Sequence, residues 1–293
     1  MKRKLGLALS GGGIKSYGEI GVFQVFEENE IFFDGFAGTS MGSIIAAFMA
    51  CGLNSEEIKR RMLDLESEII KEKLFKTKNL ELIPLFMKQT EGFINSNPFE
   101  AKLKKHFDEL NIKLIAELPK LFVCVAVDLI SGKPVLFTND PKSFEKSKEY
   151  IIVSDIDLVQ ALTASCSFPL VFNTTKINDM QLVDGGVMMN IPVAPLNVMG
   201  FEKVVSVSMQ DTTEFKESSS MRDIALRIID LGMHESENWM VATSDLNINI
   251  RSKNISVFSM GKGSYMIEKG YKTATKMFDQ ISKIKIQKRR FWI

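Results

Sequence analysis

A serine between two glycines is the residue whose setting points most clearly to chemistry. Ser40 is the centre of Gly38-Thr39-Ser40-Met41-Gly42, which has the pattern GxSxG. The segment follows a predicted strand, Phe32 to Ala37, and precedes a predicted helix that begins near Met41. This order is typical of a nucleophile elbow, because small residues on both sides let strand and helix pack closely while the hydroxyl stands out of the turn. The alternative is an N-cap serine in a glycine-flanked turn.

Three consecutive glycines near the N-terminus could turn backbone amides toward an anion. Gly11, Gly12 and Gly13 follow the predicted strand Leu5 to Leu9 and precede a helical pattern. Two phosphate-binding motifs fit poorly, since the chain lacks the Gly-Lys-Ser/Thr of a P-loop and has Ser16 where a dinucleotide fingerprint needs its last glycine. The remaining interpretations are a tight strand-to-helix turn and an oxyanion hole, in which N–H groups stabilise a developing negative charge.

A nucleophilic serine needs a base, and the chain has only two histidines. His106 lies in a charged helical run and His234 in an amphipathic one, so we expect both on helix surfaces. Asp184 follows the apolar pair Leu182-Val183 and opens a Gly-Gly turn, which predicts a carboxylate at a strand end. Its pKa would ordinarily be about 3.9. Burial would raise that pKa and improve the base. A plain turn is the alternative for an isolated Asp-Gly-Gly.

The elements that must position these loops alternate between strand and helix. The predicted strands are Leu5 to Leu9, Phe32 to Ala37, Leu121 to Val127, Val135 to Phe137 and Lys203 to Met209. Helical patterns lie between them, and the spacing of Met221, Ile224, Ile228 and Leu231 predicts a late amphipathic helix. We therefore predict an α/β fold with three α/β/α layers and a mostly parallel central sheet. We expect one domain over residues 1–293, with a helical cap or lid around residues 55–115. Ligands of such sheets bind beyond the carboxyl ends of strands, where the three loops fall.

Taken in chain order, the glycine loop, the GxSxG segment and the Asp-Gly-Gly turn resemble the motifs of the patatin-like phospholipase family. The resemblance covers most of the chain. Its blocks are Leu7 to Lys15, Gly38 to Gly42, Ala164 to Pro169, and Asp184-Gly185-Gly186 with the following Asn190-Ile191-Pro192. One departure is Ser16, which stands where the family usually has glycine. The family uses a Ser-Asp dyad without a catalytic histidine, which suits a chain so poor in this residue.

The resemblance implies a lipid acyl hydrolase with Ser40 as nucleophile and Asp184 as base. Amides of the Gly11–Gly13 loop and of Met41 would form the oxyanion hole, and an acyl-enzyme would be released by water. The implied substrates are fatty-acyl esters of phospholipids, lysophospholipids or related lipids, with no cofactor and no metal. Lys15 is expected either to pair with a carboxylate or to be solvated.

Composition and sequence pattern argue against several other classes of protein. Lys and Arg total 37 and Asp and Glu total 36, whereas a nucleic-acid binder usually has a basic excess, so we expect no nucleic-acid partner. Cys51, Cys124 and Cys166 fit neither a CxxC metal site nor a disulfide framework. No apolar stretch approaches the roughly 20 residues of a spanning helix, and Leu5 to Leu9 is too short for a signal peptide. We expect a cytoplasmic protein with at most peripheral membrane contact.

Two segments favour such contact. Residues 74–93 mix apolar and basic side chains, which is typical of a mobile lid or an interfacial surface; an inserted helical cap is the alternative. Residues 283–293 place five basic side chains before Phe291-Trp292, which suits an anionic membrane surface as well as a solvated tail.

Two other functions stay open. An acyltransferase with a related GxSxG elbow would pair its serine with a histidine, and neither histidine is well placed for this. A non-catalytic lipid-binding scaffold on the same fold would not need Ser40, Asp184 and the glycine loop together. The sequence does not indicate the head group, the acyl length or the oligomeric state.

Overall fold

The computed structural model describes residues 3–73, 95–210, 220–253 and 255–284. The predicted lid segment, residues 74–93, and residues 285–293 of the predicted tail lie outside these ranges. The strands are β1 (Leu5–Leu9), β2 (Gly35–Thr39), β3 (Leu121–Asp128), β4 (Lys133–Thr138), β5 (Ile151–Val153), β6 (Thr175–Ile177), β7 (Met180–Asp184), β8 (Lys203–Ser208) and β9 (Leu246–Asn249). The helices are α1 (Gly18–Glu28), α2 (Met41–Ala50), α3 (Ser55–Lys71), α4 (Asn97–Asp108), α5 (Leu158–Ser165), α6 (Gly186–Met189), α7 (Val193–Val198), α8 (Met221–Ala242), α9 (Gly263–Lys276) and α10 (Phe278–Ile284).

β1 lies in the interior of a sheet whose main path is β5-β4-β3-β2-β1-β8-β9. The pairs β1–β2, β1–β8, β2–β3, β4–β5 and β8–β9 are parallel. The pairs β3–β4, β3–β7 and β6–β7 are antiparallel. The prediction of a mostly parallel central sheet is therefore confirmed.

Side chains of successive strand residues point to opposite faces, and each face has its own apolar core. Leu7 and Phe36 belong to the larger core, which α1 to α5, α9 and α10 cover. Ala8 and Ala37 belong to the smaller core, which α7 and the C-terminal end of α8 help to cover. The sheet thus lies between two helical layers, as the sequence predicts.

One edge of β3 pairs first with β2 and then with β7. The opposite edge pairs with β4 from Val123 to Asp128. On the first edge, β2 pairs in parallel up to the partners Thr39 and Val125. β7 then pairs antiparallel, beginning with the partners Asp184 and Ala126. β2 therefore ends where β7 arrives, and the loops that follow the two strands meet.

α8 is the predicted late amphipathic helix, but its apolar stripe does not face the core. Such a stripe normally packs against the rest of the protein. Here Met221, Ile224, Ile228 and Leu231 are all exposed. Periodicity predicts that one face of the helix is apolar but not which way that face points. No helix in the described residues has both the length and the apolar content of a membrane span.

Candidate active site

Ser40 occupies a strained turn between β2 and α2. Its φ of 53° and ψ of −132° lie outside the conformations that a residue with a side chain normally adopts. Neighbouring hydrogen bonds hold this conformation. The Ser40 amide donates to Oγ of Ser165 at 3.0 Å, and that hydroxyl donates to the carbonyl of Val125 at 2.7 Å. The Ser40 carbonyl accepts from the hydroxyl of Ser43 at 2.6 Å. Strain held in this way is typical of a nucleophile elbow.

The two glycines of the GxSxG pattern are required by close backbone contacts. A Cβ atom at Gly38 would lie 2.5 Å from the carbonyl oxygen of Gly42, and one at Gly42 would lie 2.4 Å from the carbonyl oxygen of Ser10. Separations this short do not occur for real Cβ atoms, so a larger residue at Gly38 would push α2 away from β2, and one at Gly42 would push α2 away from the end of β1. The structure bears out the expectation that the positions two before and two after Ser40 must be small.

Asp184 is the last residue of β7 and is almost completely buried. Its amide donates to the carbonyl of Ser167 at 2.9 Å, which fixes the strand end. Its Oδ1 accepts from the amide of Gly186 at 2.8 Å. Burial raises the pKa of the Asp184 carboxyl to about 6, although the Ser40 hydroxyl and the Gly186 amide both lower it. The carboxyl is therefore a stronger base than an ordinary aspartate and still mostly ionised at pH 7.

Ser40 and Asp184 line the same cavity, as the ends of β2 and β7 require. The Ser40 hydroxyl lies close enough to act as a hydrogen-bond donor that lowers the pKa of the carboxyl. The remaining oxygen, Oδ2, is buried and has no hydrogen bond of normal geometry from the described residues. The two groups are thus adjacent without a well-formed hydrogen bond. Such loose contacts are common in enzymes without substrate and tighten when substrate binds.

The glycine loop lies directly beside the elbow. A Cβ atom at Gly11 would be 3.2 Å from Cβ of Ser40. The amide of Gly11 already donates to the carbonyl of Asn190 at 3.1 Å, so it is not free to stabilise an oxyanion. The amides of Gly12, Gly13 and Met41 have no acceptor in the described part of the chain. The predicted set of oxyanion amides is thereby narrowed to these three residues.

Asn190 and Glu237 form a buried link behind this loop that sequence reasoning did not single out. Nδ2 of Asn190 donates to the carbonyl of Gly11 at 3.3 Å and, in a short contact, to Oε1 of Glu237. Burial raises the pKa of Glu237, whereas Asn190 and His234 lower it. Asn190 stands in the Asn-Ile-Pro block of the sequence, but its partner lies 47 residues further on, and no local pattern joins them.

The structure corrects the expectation for His106 and rules out one of the two alternatives for Lys15, whereas His234 lies on a helix surface as expected. His106 is buried rather than exposed and stacks edge-on against Phe48. Its pKa is lowered, first by burial and then by Arg61. His234 is partly exposed on α8, but it also lines the cavity, with Nδ1 3.6 Å from Oε2 of Glu237. Lys15 is buried and lines the cavity, so the solvated alternative is wrong.

The cavity has a volume of about 270 Å³, and most of its walls are apolar. Aromatic and thioether side chains form these walls: Phe99, Phe168, Phe172, Phe258, Met209, Met233 and Met260. Ser40, Asp184 and the glycine loop also line the cavity, as do charged and polar side chains of α8. A largely apolar space with a limited set of polar groups suits a ligand with a hydrocarbon chain and one reactive polar bond.

Comparisons with curated proteins find relatives of low identity. The uncharacterized protein YqhO of Bacillus subtilis (strain 168) is 25% identical over 222 residues, which cover 73% of this chain and 74% of that protein. The uncharacterized NTE family protein Rv1063c of Mycobacterium tuberculosis is 27% identical over 206 residues, which cover 70% of this chain and 49% of that protein. The probable lipid hydrolase 463L of invertebrate iridescent virus 6 is 25% identical over 195 residues, which cover 64% of this chain and 61% of that protein. The match thus spans about half the length of the mycobacterial relative.

Among solved structures, VipD from Legionella pneumophila has 14% identity and a TM-score of 0.49, covering 95% of this chain and 67% of that chain. ExoU from Pseudomonas aeruginosa, in complex with SpcU, has 14% identity and a TM-score of 0.44, covering 97% of this chain and 53% of that chain. TM-scores below 0.5 add no weight to the assignment.

A family model gives the decisive match. The model described as patatin-like phospholipase matches residues 7–197, about two thirds of the chain. This range includes the glycine loop, the GxSxG elbow and the Asp-Gly-Gly turn. Membership supports lipid hydrolase activity in general terms. The chain belongs to the patatin-like phospholipase family.

Proposed function

We propose that this protein hydrolyses fatty-acyl esters of phospholipids, lysophospholipids or related lipids through a Ser40-Asp184 dyad. The observation that carries the proposal is the junction on β3, where the residue after β2 and the last residue of β7 meet at one cavity. Family membership supports the reaction class, and the geometry supports the assignment of roles.

In the proposed reaction, Asp184 accepts the hydroxyl proton while Oγ of Ser40 attacks the ester carbonyl carbon. The tetrahedral intermediate collapses, the bond to the alcohol oxygen breaks, and the proton passes to the departing alcohol. Water then attacks the acyl-enzyme by the same route and releases the fatty acid. An aspartate pKa of about 6 supports this role, because a base is most effective when its pKa lies near the working pH.

The amides of Gly12, Gly13 and Met41 are the proposed oxyanion donors. Met41 is the first residue of α2, so its amide also lies at the positive end of a helix dipole. Donors of this kind need to be held in place before the charge develops. The hydrogen bonds between Asn190 and Gly11 support such preorganisation.

The test is turnover of a lipid panel by wild type and by three variants: Ser40→Ala, Asp184→Asn and Asp179→Asn. Asp179 is an exposed aspartate just before β7 and is the matched control. We expect the first two variants to fold, to lose activity by on the order of 10⁴-fold, and Ser40→Ala to lose fluorophosphonate labelling. The control should retain activity. Wild-type-like turnover by a folded Ser40→Ala or Asp184→Asn protein would refute the dyad.

The acyltransferase alternative has one observation in its favour, which is that His234 lines the cavity. A His234→Ala variant tests it together with the acceptor. A dyad hydrolase should keep its turnover within about tenfold and release free fatty acid. A transferase that depends on this histidine would lose activity as fully as Ser40→Ala and would require a non-water acceptor. Cytoplasmic location, at most peripheral membrane contact and a single domain over residues 1–293 also remain proposals.

A further inference from the structure

We propose that the outer face of α8 docks on the surface of a neutral phospholipid bilayer and so presents the catalytic cavity to lipid. The outer face is defined by Met221, Ile224, Ile228, Leu231 and Trp239. The inference rests on the proposed function, because it names the aggregate from which the cavity takes its substrate.

The outer face is apolar and open to solvent. The exposed fractions are 56% for Met221, 43% for Ile224, 65% for Ile228, 52% for Leu231 and 74% for Trp239. At about 100° of rotation per helical residue, all five lie within roughly 80° of one another. Glu235 is the one charged residue with a described, exposed side chain inside this sector. A stripe of large apolar side chains, interrupted at Glu235 between Leu231 and Trp239, is expensive to keep in water and marks an interaction site.

The opposite face of the same helix belongs to the cavity. Its lining residues on α8 are Leu226, Asp230, Met233, His234 and Glu237. They centre about 160° from the outer face, by the same rotation per residue. One helix therefore separates the lipid cavity from the exposed stripe.

Two features favour a bilayer over a second protein as the occupant. Five side chains on one helix offer a few hundred Å², whereas each partner in a stable protein interface buries about 800 Å². A bilayer needs no complementary surface and accepts a single amphipathic helix that lies in its plane. Trp239 stands at the end of the stripe, and tryptophan is enriched at the membrane–water interface. Glu235, with no described basic side chain in the same sector, favours neutral over anionic lipid.

The two tryptophans of the chain, Trp239 and Trp292, allow a direct test. The protein is Ser40→Ala/Trp292→Phe, which leaves Trp239 as the only tryptophan and leaves the lipid intact. Vesicles of phosphatidylcholine are added. We expect the emission of Trp239 to shift to the blue and to be quenched by brominated acyl chains. An unchanged emission would overturn the proposal. So would a shift seen only with Trp292, in Ser40→Ala/Trp239→Phe.

A second experiment links docking to turnover in otherwise wild-type protein. Ile228→Ser/Leu231→Ser is compared with Phe32→Ser, whose side chain is 71% exposed just before β2, at the other end of the sheet. We expect the double variant to bind and hydrolyse vesicles at least tenfold less well, with turnover of a soluble short-chain ester changed less than twofold. Phe32→Ser should match wild type in both assays.

The outcomes separate the two proposals. Vesicle binding by Ser40→Ala without hydrolysis by wild type would leave the docking face intact and refute the proposed function. Ester turnover with equal vesicle hydrolysis by wild type and the double variant would refute docking alone. Lipid-free wild type that is dimeric, when the double variant is monomeric, would assign the outer face to a second copy and also overturn the proposal.

Discussion

Thr39 and Asp184 pair with consecutive residues on one edge of β3, Val125 and Ala126. Thr39 precedes the proposed nucleophile, so the pairing of β2 and β7 with β3 places Ser40 and Asp184 next to each other. The alignment depends on main-chain hydrogen bonds, which hardly change with side-chain identity. Substitution of either reactive side chain should therefore leave the rest of the site folded, so a loss of activity can be assigned to the side chain that was replaced.

The pH dependence of activity should report Asp184. Burial raises its pKa to about 6, and only the ionised carboxylate can accept the serine proton. We expect kcat/KM on a soluble ester to rise with pH and to reach half its maximum near pH 6. The profile should be measured with a substrate that does not ionise in this range. An acid limb centred near pH 4 would show that Asp184 is not the base.

The Asp184→Asn substitution should abolish activity but leave the protein as stable as wild type, or more stable, at neutral pH. The folded-state pKa lies above the value near 3.9 of an unfolded aspartate, so folding favours the protonated carboxyl. This contribution is complete below about pH 4 and is lost as the pH rises through about 6. At pH 7 the inactive variant should thus have an unfolding free energy equal to or higher than that of wild type, by up to about 3 kcal/mol. The advantage should vanish at pH 4; a variant that is clearly less stable at both pH values would contradict the argument.

The glycines of the elbow should resist even a single methyl group. Gly42→Ala places a Cβ atom 2.4 Å from the Ser10 carbonyl oxygen, and this backbone cannot move without separating α2 from β1. We expect a loss of about 1–3 kcal/mol in unfolding free energy and little remaining activity. Gly232→Ala is the matched control, because nothing lies within 4 Å of its Cβ position and alanine favours helix. Thermal unfolding and ester turnover should be measured for both proteins. A Gly42→Ala protein as stable and active as Gly232→Ala would contradict the argument.

Ser165 should matter for rate more than for binding. Its hydroxyl bridges the Ser40 amide and the Val125 carbonyl, which ties the strained turn to β3. Ser165→Ala removes the bridge and should lower kcat by roughly 10- to 100-fold with KM changed little, since a positioned nucleophile is what the bridge maintains. Ser282→Ala, on α10, is the control. A change confined to KM would place Ser165 in substrate binding instead.

The sequence predicts the parts of the site that depend on local sterics. Glycine spacing around Ser40 predicts the elbow, because the clash that excludes larger residues arises within five residues. Asp184 is predictable as a strand end from its apolar predecessors and its Gly-Gly turn. The three-layer fold follows from the alternation of strand and helix, although β2 begins at Gly35 rather than Phe32.

What the sequence could not predict depends on partners distant in the chain. The antiparallel arrival of β7 at β3 has no local signal. The engagement of the Gly11 amide depends on Asn190, 179 residues away. His106 is buried because Phe48 and other residues of the larger core pack around it, and a charged helical run does not indicate this. The direction of the apolar face of α8 is likewise a property of the assembled fold.

The Asn190–Glu237 link should hold the glycine loop rather than take part in bond making. Asn190 bridges Glu237 and Gly11, the residue before the proposed oxyanion amides. Glu237→Ala removes the acceptor and should lower kcat about tenfold or more, with KM nearly constant. Glu237→Gln keeps an oxygen that can accept from Asn190 and should restore most of the rate. Glu235→Ala, an exposed position on the same helix, is the control.

The pH profile of Glu237→Gln separates the charge of the link from its geometry. Burial raises the pKa of Glu237, but a protonated carboxyl still has a carbonyl oxygen that can accept from Asn190, as the side-chain amide of Glu237→Gln does. Because the link acts through this hydrogen bond, wild type and Glu237→Gln should show the same acid limb, with the single ionisation of Asp184 near pH 6. A wild-type limb steeper than one ionisation allows, with a single ionisation in Glu237→Gln, would mean that the charge of Glu237 holds the glycine loop.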